Sequence, residues 1–164
     1  MDPRIEEIRA AIAADADNRD FASRGWQPLF VADARARLLI VGHAPGVLAQ
    51  QSGIACGDKS GHNLMEWLGL DEKVCRDPGK VALIPMDFYY QGKGASGDLP
   101  PRKGFADKWH PRLLSLMPQL RLTVLAGGYR SPDAGATWVP SQGSYYGSFV
   151  RLVFAPSVPD LVYG

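Results

Sequence analysis

Residues 38–46 read LLIVGHAPG. Leu38, Leu39, Ile40 and Val41 form a continuous apolar run, the pattern of a strand covered on both faces. The run breaks on Gly42-His43-Ala44-Pro45-Gly46. Pro45 fixes its own φ and has no N–H, and the two glycines let backbone come close to a ligand. His43 can donate or accept a hydrogen bond near neutral pH. A strand-to-helix turn carrying a surface histidine would read the same way, so on this motif alone both readings stand.

Two more runs have the character of the first. Residues 81–84, VALI, stop at Pro85, and residues 120–126, LRLTVLA, end on Gly127-Gly128-Tyr129. Between and before them the spacing predicts helices. Asp2-Pro3 can cap and start one over residues 3–15, with Ile5, Ile8 and Ile12 on one face. Residues 63–68 read as a helix stopped by Gly69, and residues 105–117 as a helix broken at Pro111. Residues 15–30 read as irregular, the segment after Val41 through GDKSG as a Gly-rich loop, and FYYQGKGASGDLPPRKG as a long loop. Strands alternating with helices predict an α/β fold, a mostly parallel sheet with helices on both faces. Ligands bind such sheets beyond the carboxyl ends of the strands. GHAPG, PMDFYYQGKG and GGY are therefore expected to meet at one edge.

A chain of 164 residues with 46% apolar content suits a single domain spanning residues 1–164. The formal net charge of +1 argues against a broad electrostatic nucleic-acid binder while leaving room for a local basic patch. No apolar run approaches the ~18 residues of a membrane span. The N-terminus is too charged for a signal peptide, so a cytoplasmic protein is expected. Cys56 and Cys75 make no CxxC, and His43, His62 and His110 lie far apart, which predicts no metal site.

The stretch LLIVGHAPGVLAQQSGIACGDKSGHNLMEWLGL resembles the first motif of the uracil-DNA glycosylase superfamily. Members carry a Gly-polar-Ala-Pro-Gly loop, then Ser/Thr-Gly-Ile-Pro, then Asp-x-Ser-Gly and a helix. The stretch from MDFYYQGKG to LAGGY is similar to a bacterial branch without an iron–sulfur cluster, and the resemblance covers about residues 25–129. It implies a three-layer α/β/α domain that acts as a monomer on DNA containing uracil or another damaged base. The nucleotide would be flipped out of the stack and its N-glycosidic bond hydrolysed without a cofactor.

Carried over residue by residue, the resemblance makes Gly42, His43, Ala44, Pro45 and Gly46 the water-activating, substrate-contacting loop. His43 stands where relatives have Gln or Glu, so it can orient water but is no standing negative charge. Asp58 is the second catalytic candidate; its bland alternative is a loop cap. Cys56 falls where many relatives place an aromatic that stacks on the base. Asp87 and Tyr89 lie in the region where relatives read the base with an Asn, and this loop has none; Tyr89 and Tyr90 could stack on a base or simply cover the sheet edge. Lys93, Arg102 and Lys103 are expected at the DNA backbone, with Lys108 and Arg112 adding to the same basic half. His62 reads as a helix-start residue. His110-Pro111 is not the family's second motif, because it precedes a helix and a strand.

That second motif, His-Pro-Ser near the C-terminus, does not occur after Tyr129. Residues 130–164 read as a divergent tail, which predicts a shift of reading frame just after Tyr129. Displaced by one base, codons for residues 130–135 can spell Ala-Ala-Arg-Met-Leu-Gly, close to the Ala-x-x-x-Leu-Gly of the family. Codons for residues 155–159, displaced the same way, can spell Pro-His-Pro-Ser-Arg. The last sheet elements of the fold would then be missing or divergent, and little excision is expected of the chain as written. A non-catalytic nucleic-acid or nucleotide binder on the same scaffold is the alternative. An unrelated hydrolase using Ser60 or Asp58 has no GxSxG elbow to support it.

Overall fold

The computed structural model describes residues 2–95 and 97–126, and the backbone of three short strands beyond them. The helix α1, Pro3–Ala14, starts as its sequence dictates: the Asp2 side chain accepts from the Arg4 N–H, and Pro3 fills the first turn. Ile5 and Ile12 are fully buried beneath it. The stretch expected to be irregular instead holds a 3-10 turn, Ala16–Asn18, and a short helix α2, Arg19–Ser23. Asp15 nucleates that turn by accepting from the Asp17 N–H at 3.0 Å.

The apolar run forms strand β1, Leu38–Val41. Helix α3, Val47–Ser52, follows the Pro-Gly turn directly, where a loop was expected; Gly53 closes it with φ 69°. Helix α4, Lys59–Leu68, begins four residues before the expected start because the Asp58 side chain caps it, and it stops at Gly69 with φ 62°. A short α5, Glu72–Cys75, leads to β2, Val81–Leu83. The predicted long loop folds back on itself as a small hairpin of β3, Lys93–Gly94, and β4, Gly97–Asp98. Helix α6, Phe105–Leu114, runs through Pro111 without the expected break, and the Ser115 N–H still reaches the Pro111 carbonyl. Strand β5, Leu122–Leu125, completes the parallel set. The short strands β6, Tyr129–Arg130, and β7, Val139–Pro140, pair with each other, and β8, Phe154–Ala155, pairs antiparallel with β5. Other features of residues 130–164, including the frame-displaced reading, lie outside the described residues.

The main sheet has the order β2-β1-β5-β8. β1 is central and parallel to both neighbours, with Leu38 opposite Val81 and Leu122. Alternation along the strands splits the core into two layers. Leu39, Val41, Ala82 and Ile84 pack with Ile5 and Ile12 of α1 and with Phe105, Trp109 and Leu113 of α6. Ile40, Val81, Leu83 and Val124 pack with Met65 of α4 and Cys75 of α5. This is the expected three-layer α/β/α arrangement with a mostly parallel sheet. Among the described residues no helix is long and apolar enough to cross a membrane, and no group of histidine, cysteine and acidic side chains could hold a metal ion.

Candidate active site

The three strand ends converge as the topology requires; Gly127 and Gly128 of the expected GGY turn lie outside the described residues. The ladder continues past the strands: the Met86 N–H donates to the Gly42 carbonyl at 2.8 Å and the Asp87 N–H to the His43 carbonyl at 3.0 Å. On the other side the Ala126 N–H donates to the Val41 carbonyl at 2.8 Å. GHAPG is thus clamped between the segments that leave β2 and β5. Beyond the clamp a cavity of about 430 Å³ opens, walled by Gly42, Ala44, Pro45 and Gly46, by Cys56 and Asp58, and by the inner face of α4. Its floor is apolar, formed by Ile40, Leu83 and Leu125 from the strand ends.

Asp58 ties the two Gly-rich segments together. One carboxylate oxygen, Oδ1, accepts from the Gly61 N–H at 2.9 Å and so caps α4. The other, Oδ2, lies 2.9 Å from where a side-chain carbon on Gly46 would sit, so any larger residue there must push the carboxylate aside. The capping alternative for Asp58 is therefore realised, and the same carboxylate also faces the cavity. Gly61 is as constrained: a Cβ there would lie 2.2 Å from the Cys56 carbonyl oxygen. This contact lets α4 press onto the Cys56 turn. Cys56 itself adopts φ 53°, a left-handed conformation that side chains rarely take. Burial, with smaller contributions from Cys75 and Asp58, pushes its thiol up to about 11, so it is a neutral wall group.

His43 is half-buried within the loop but is not part of the cavity lining. His62 behaves as a helix-start residue: its Nδ1 lies 2.8 Å from the Asp58 carbonyl oxygen. His110 Nε2 lies 2.9 Å from the Pro85 carbonyl oxygen, and its ring stacks on Phe88. Burial lowers its pKa.

Asp87, Tyr89 and Arg102 require a correction. Asp87 and Tyr89, expected at the base, are fully buried and absent from the cavity lining. Arg102, expected at the DNA backbone, grips both Asp87 oxygens, with Nε 2.7 Å from Oδ2 and Nη2 2.9 Å from Oδ1. Its Nη1 donates to Asn18 Oδ1 at 2.8 Å and to the Asp17 carbonyl at 3.1 Å. Tyr89 stacks on Phe21 with ring centroids 4.5 Å apart. The three residues bolt α2 to the segment after β2; a carboxylate and a guanidinium this well matched satisfy each other and leave little for a ligand. Lys108 pairs with Asp15 at the surface. Lys93 and Lys103 are exposed, the former on the hairpin beside the cavity.

Two lining residues escaped the sequence reading. Asp98, on β4, reaches the cavity and accepts from the Tyr90 hydroxyl at 3.2 Å. Nothing periodic in FYYQGKGASGDLPPRKG marks it. Trp67 also lines the cavity, and here a signal existed: Ser60, Leu64 and Trp67 recur at helical spacing.

A comparison with known families matches residues 29–146, most of the chain and the whole of this cavity, to the uracil DNA glycosylase superfamily.

Proposed function

From the chain's membership of the uracil DNA glycosylase superfamily, we propose that it is a DNA glycosylase fold that hydrolyses the N-glycosidic bond of uracil, or of a related deaminated base, in DNA. The observation that carries this reading is the cavity where the GHAPG loop and the Asp58 carboxylate stand side by side. Breaking the bond builds positive charge on the sugar and negative charge on the departing base. Asp58 would stabilise the first and hold the attacking water, and His43, in the adjoining loop, would orient that water. Backbone N–H groups of the loop would meet the flipped base. Exposed Lys93 and Lys103 would contact phosphates, and the hydrolysis calls for no cofactor. Arg102, Asp87 and Tyr89 take no part in this scheme.

The chain as written lacks the His-Pro-Ser segment that would support the departing base. We attribute this to a frame displaced after Tyr129, and the nucleotide sequence of codons 125–164 tests it directly: an early stop or no His-Pro-Ser in the displaced frame ends the idea. The enzymatic test compares the frame-restored chain with residues 1–164 on a uracil-containing oligonucleotide, scoring abasic product. The restored chain should excise uracil while the chain as written makes little product. Asp58→Asn and His43→Ala should each lower excision by the restored chain by about 10²-fold or more. No product from the restored chain would refute the glycosylase reading. The missing motif also favours a second reading for the chain as written, a binder that retains DNA and cuts none. Retention of the oligonucleotide without abasic product separates it from an enzyme.

A further inference from the structure

We propose that Trp67 is the aromatic surface on which a nucleobase stacks in this cavity, with Asp98 accepting an N–H from the edge of that base. The inference rests on reading the cavity as a nucleobase site and adds the residues that hold the base. Three observations carry it.

First, Ser60, Gly61, Leu64 and Trp67 share the face of α4 that lines the cavity. The inner members of that helix are anchored: Met65 is buried and Leu64 packs on the second core layer. Trp67, a turn further out on the lining face, is 64% exposed. A tryptophan on a concave wall, with most of its ring uncovered, presents a large flat surface for another planar group to cover.

Second, Cys56 cannot take a stacking role. The resemblance puts a stacking aromatic at that position, and the chain has a half-buried, neutral thiol there. A thiol offers no ring face. Trp67 supplies one on the wall of the same cavity.

Third, the charged groups of the described lining, Asp58 and Asp98, are both acidic. A carboxylate accepts hydrogen bonds and donates none. It therefore favours a base edge that presents an N–H and disfavours a phosphate inside the cavity, leaving phosphates to Lys93 and Lys103 outside. Asp98 is not on a loose loop. Tyr90, which donates to it, gives its own N–H to Gln50 Oε1 at 2.9 Å, and the buried Gln50 donates from Nε2 to the Gln27 carbonyl at 2.9 Å.

The test uses uridine as the probe and ligand-observed NMR titration of residues 1–164. The wild-type chain should bind uridine, and Trp67→Leu, which keeps apolar bulk but removes the ring, should weaken it about tenfold or more. Trp67→Phe should recover most of the loss, and Asp98→Asn should weaken binding while leaving the circular dichroism spectrum unchanged. No binding by the wild type, or equal binding by Trp67→Leu, overturns the inference. Uridine held through Trp67 together with no excision by the frame-restored chain would sink the glycosylase reading alone. Excision without uridine binding would sink only the role of Trp67.

Discussion

At Asp87 every carboxylate contact is accounted for: Arg102 grips both oxygens, and the backbone N–H groups of Tyr89 and Arg102 each donate to one. A buried carboxylate loses water and is tolerable only with such a full set of donors. Removing the cation leaves the carboxylate buried without its partner. Arg102→Ala should therefore destabilise the fold by about 3–5 kcal/mol, read as a lower urea midpoint. Arg102→Lys should recover only part, because an ammonium cannot bridge both oxygens in the plane of the carboxylate. An unchanged midpoint for Arg102→Ala would show that the pair contributes nothing to stability. The same residues show why side-chain roles are hard to read from a sequence. Asp87, Tyr89 and Arg102 sit beside a true site segment, and their types suit base and phosphate contacts. What decides their fate is Phe21 and Asn18, which come from a distant helix and turn and carry no local signal pointing to them.

Among the elements, α4 has the most to hold in place. Its start is fixed by Asp58, its end by Gly69, and its approach to the Cys56 turn by the absence of a side chain at Gly61. Gly61→Ala would drive a methyl group into backbone that cannot rotate away, at a cost of about 1–3 kcal/mol. Gly46→Ala meets only the Asp58 carboxylate, which can swing aside by giving up its cap, at about 1 kcal/mol. Thermal unfolding should thus rank Gly61→Ala below Gly46→Ala, and the reverse order would contradict the contact geometry. The strands and the first helix were legible from plain signals: a continuous apolar run at residues 38–41, and the Asp2-Pro3 start with Ile5 and Ile12 on one buried face at residues 3–14. The short α3 and the β3–β4 hairpin were not: each is too brief for a period to register, and glycine and proline punctuation masks both. Pro111 misled for a different reason. Its missing N–H costs one bond in α6, and the burial of Phe105, Trp109 and Leu113 along one face outweighs it.

For the whole molecule, the two faces of the sheet differ. Opposite the candidate site a second cavity of about 570 Å³ runs between the sheet and α6, lined by Leu39, Val41, Met117 and Leu125 among the described residues. On the displaced-frame proposal, the restored C-terminal sequence belongs to this fold and the written one does not. The frame-restored chain should then unfold at a higher urea concentration than residues 1–164; equal midpoints would count against the proposal. The central position of β1 has a different consequence. Leu38 meets Val81 on one side and Leu122 on the other, so the strand below GHAPG has no near neighbour in sequence to pair with. Closing such long loops is slow and gives no reward until late in folding. The cavity floor is complete only with both pairings, since Ile40, Leu83 and Leu125 come from three different strands. Its last wall, Leu125 and Ala126, arrives only when β5 docks, so a change that weakens this one strand opens the cavity floor from far along the chain.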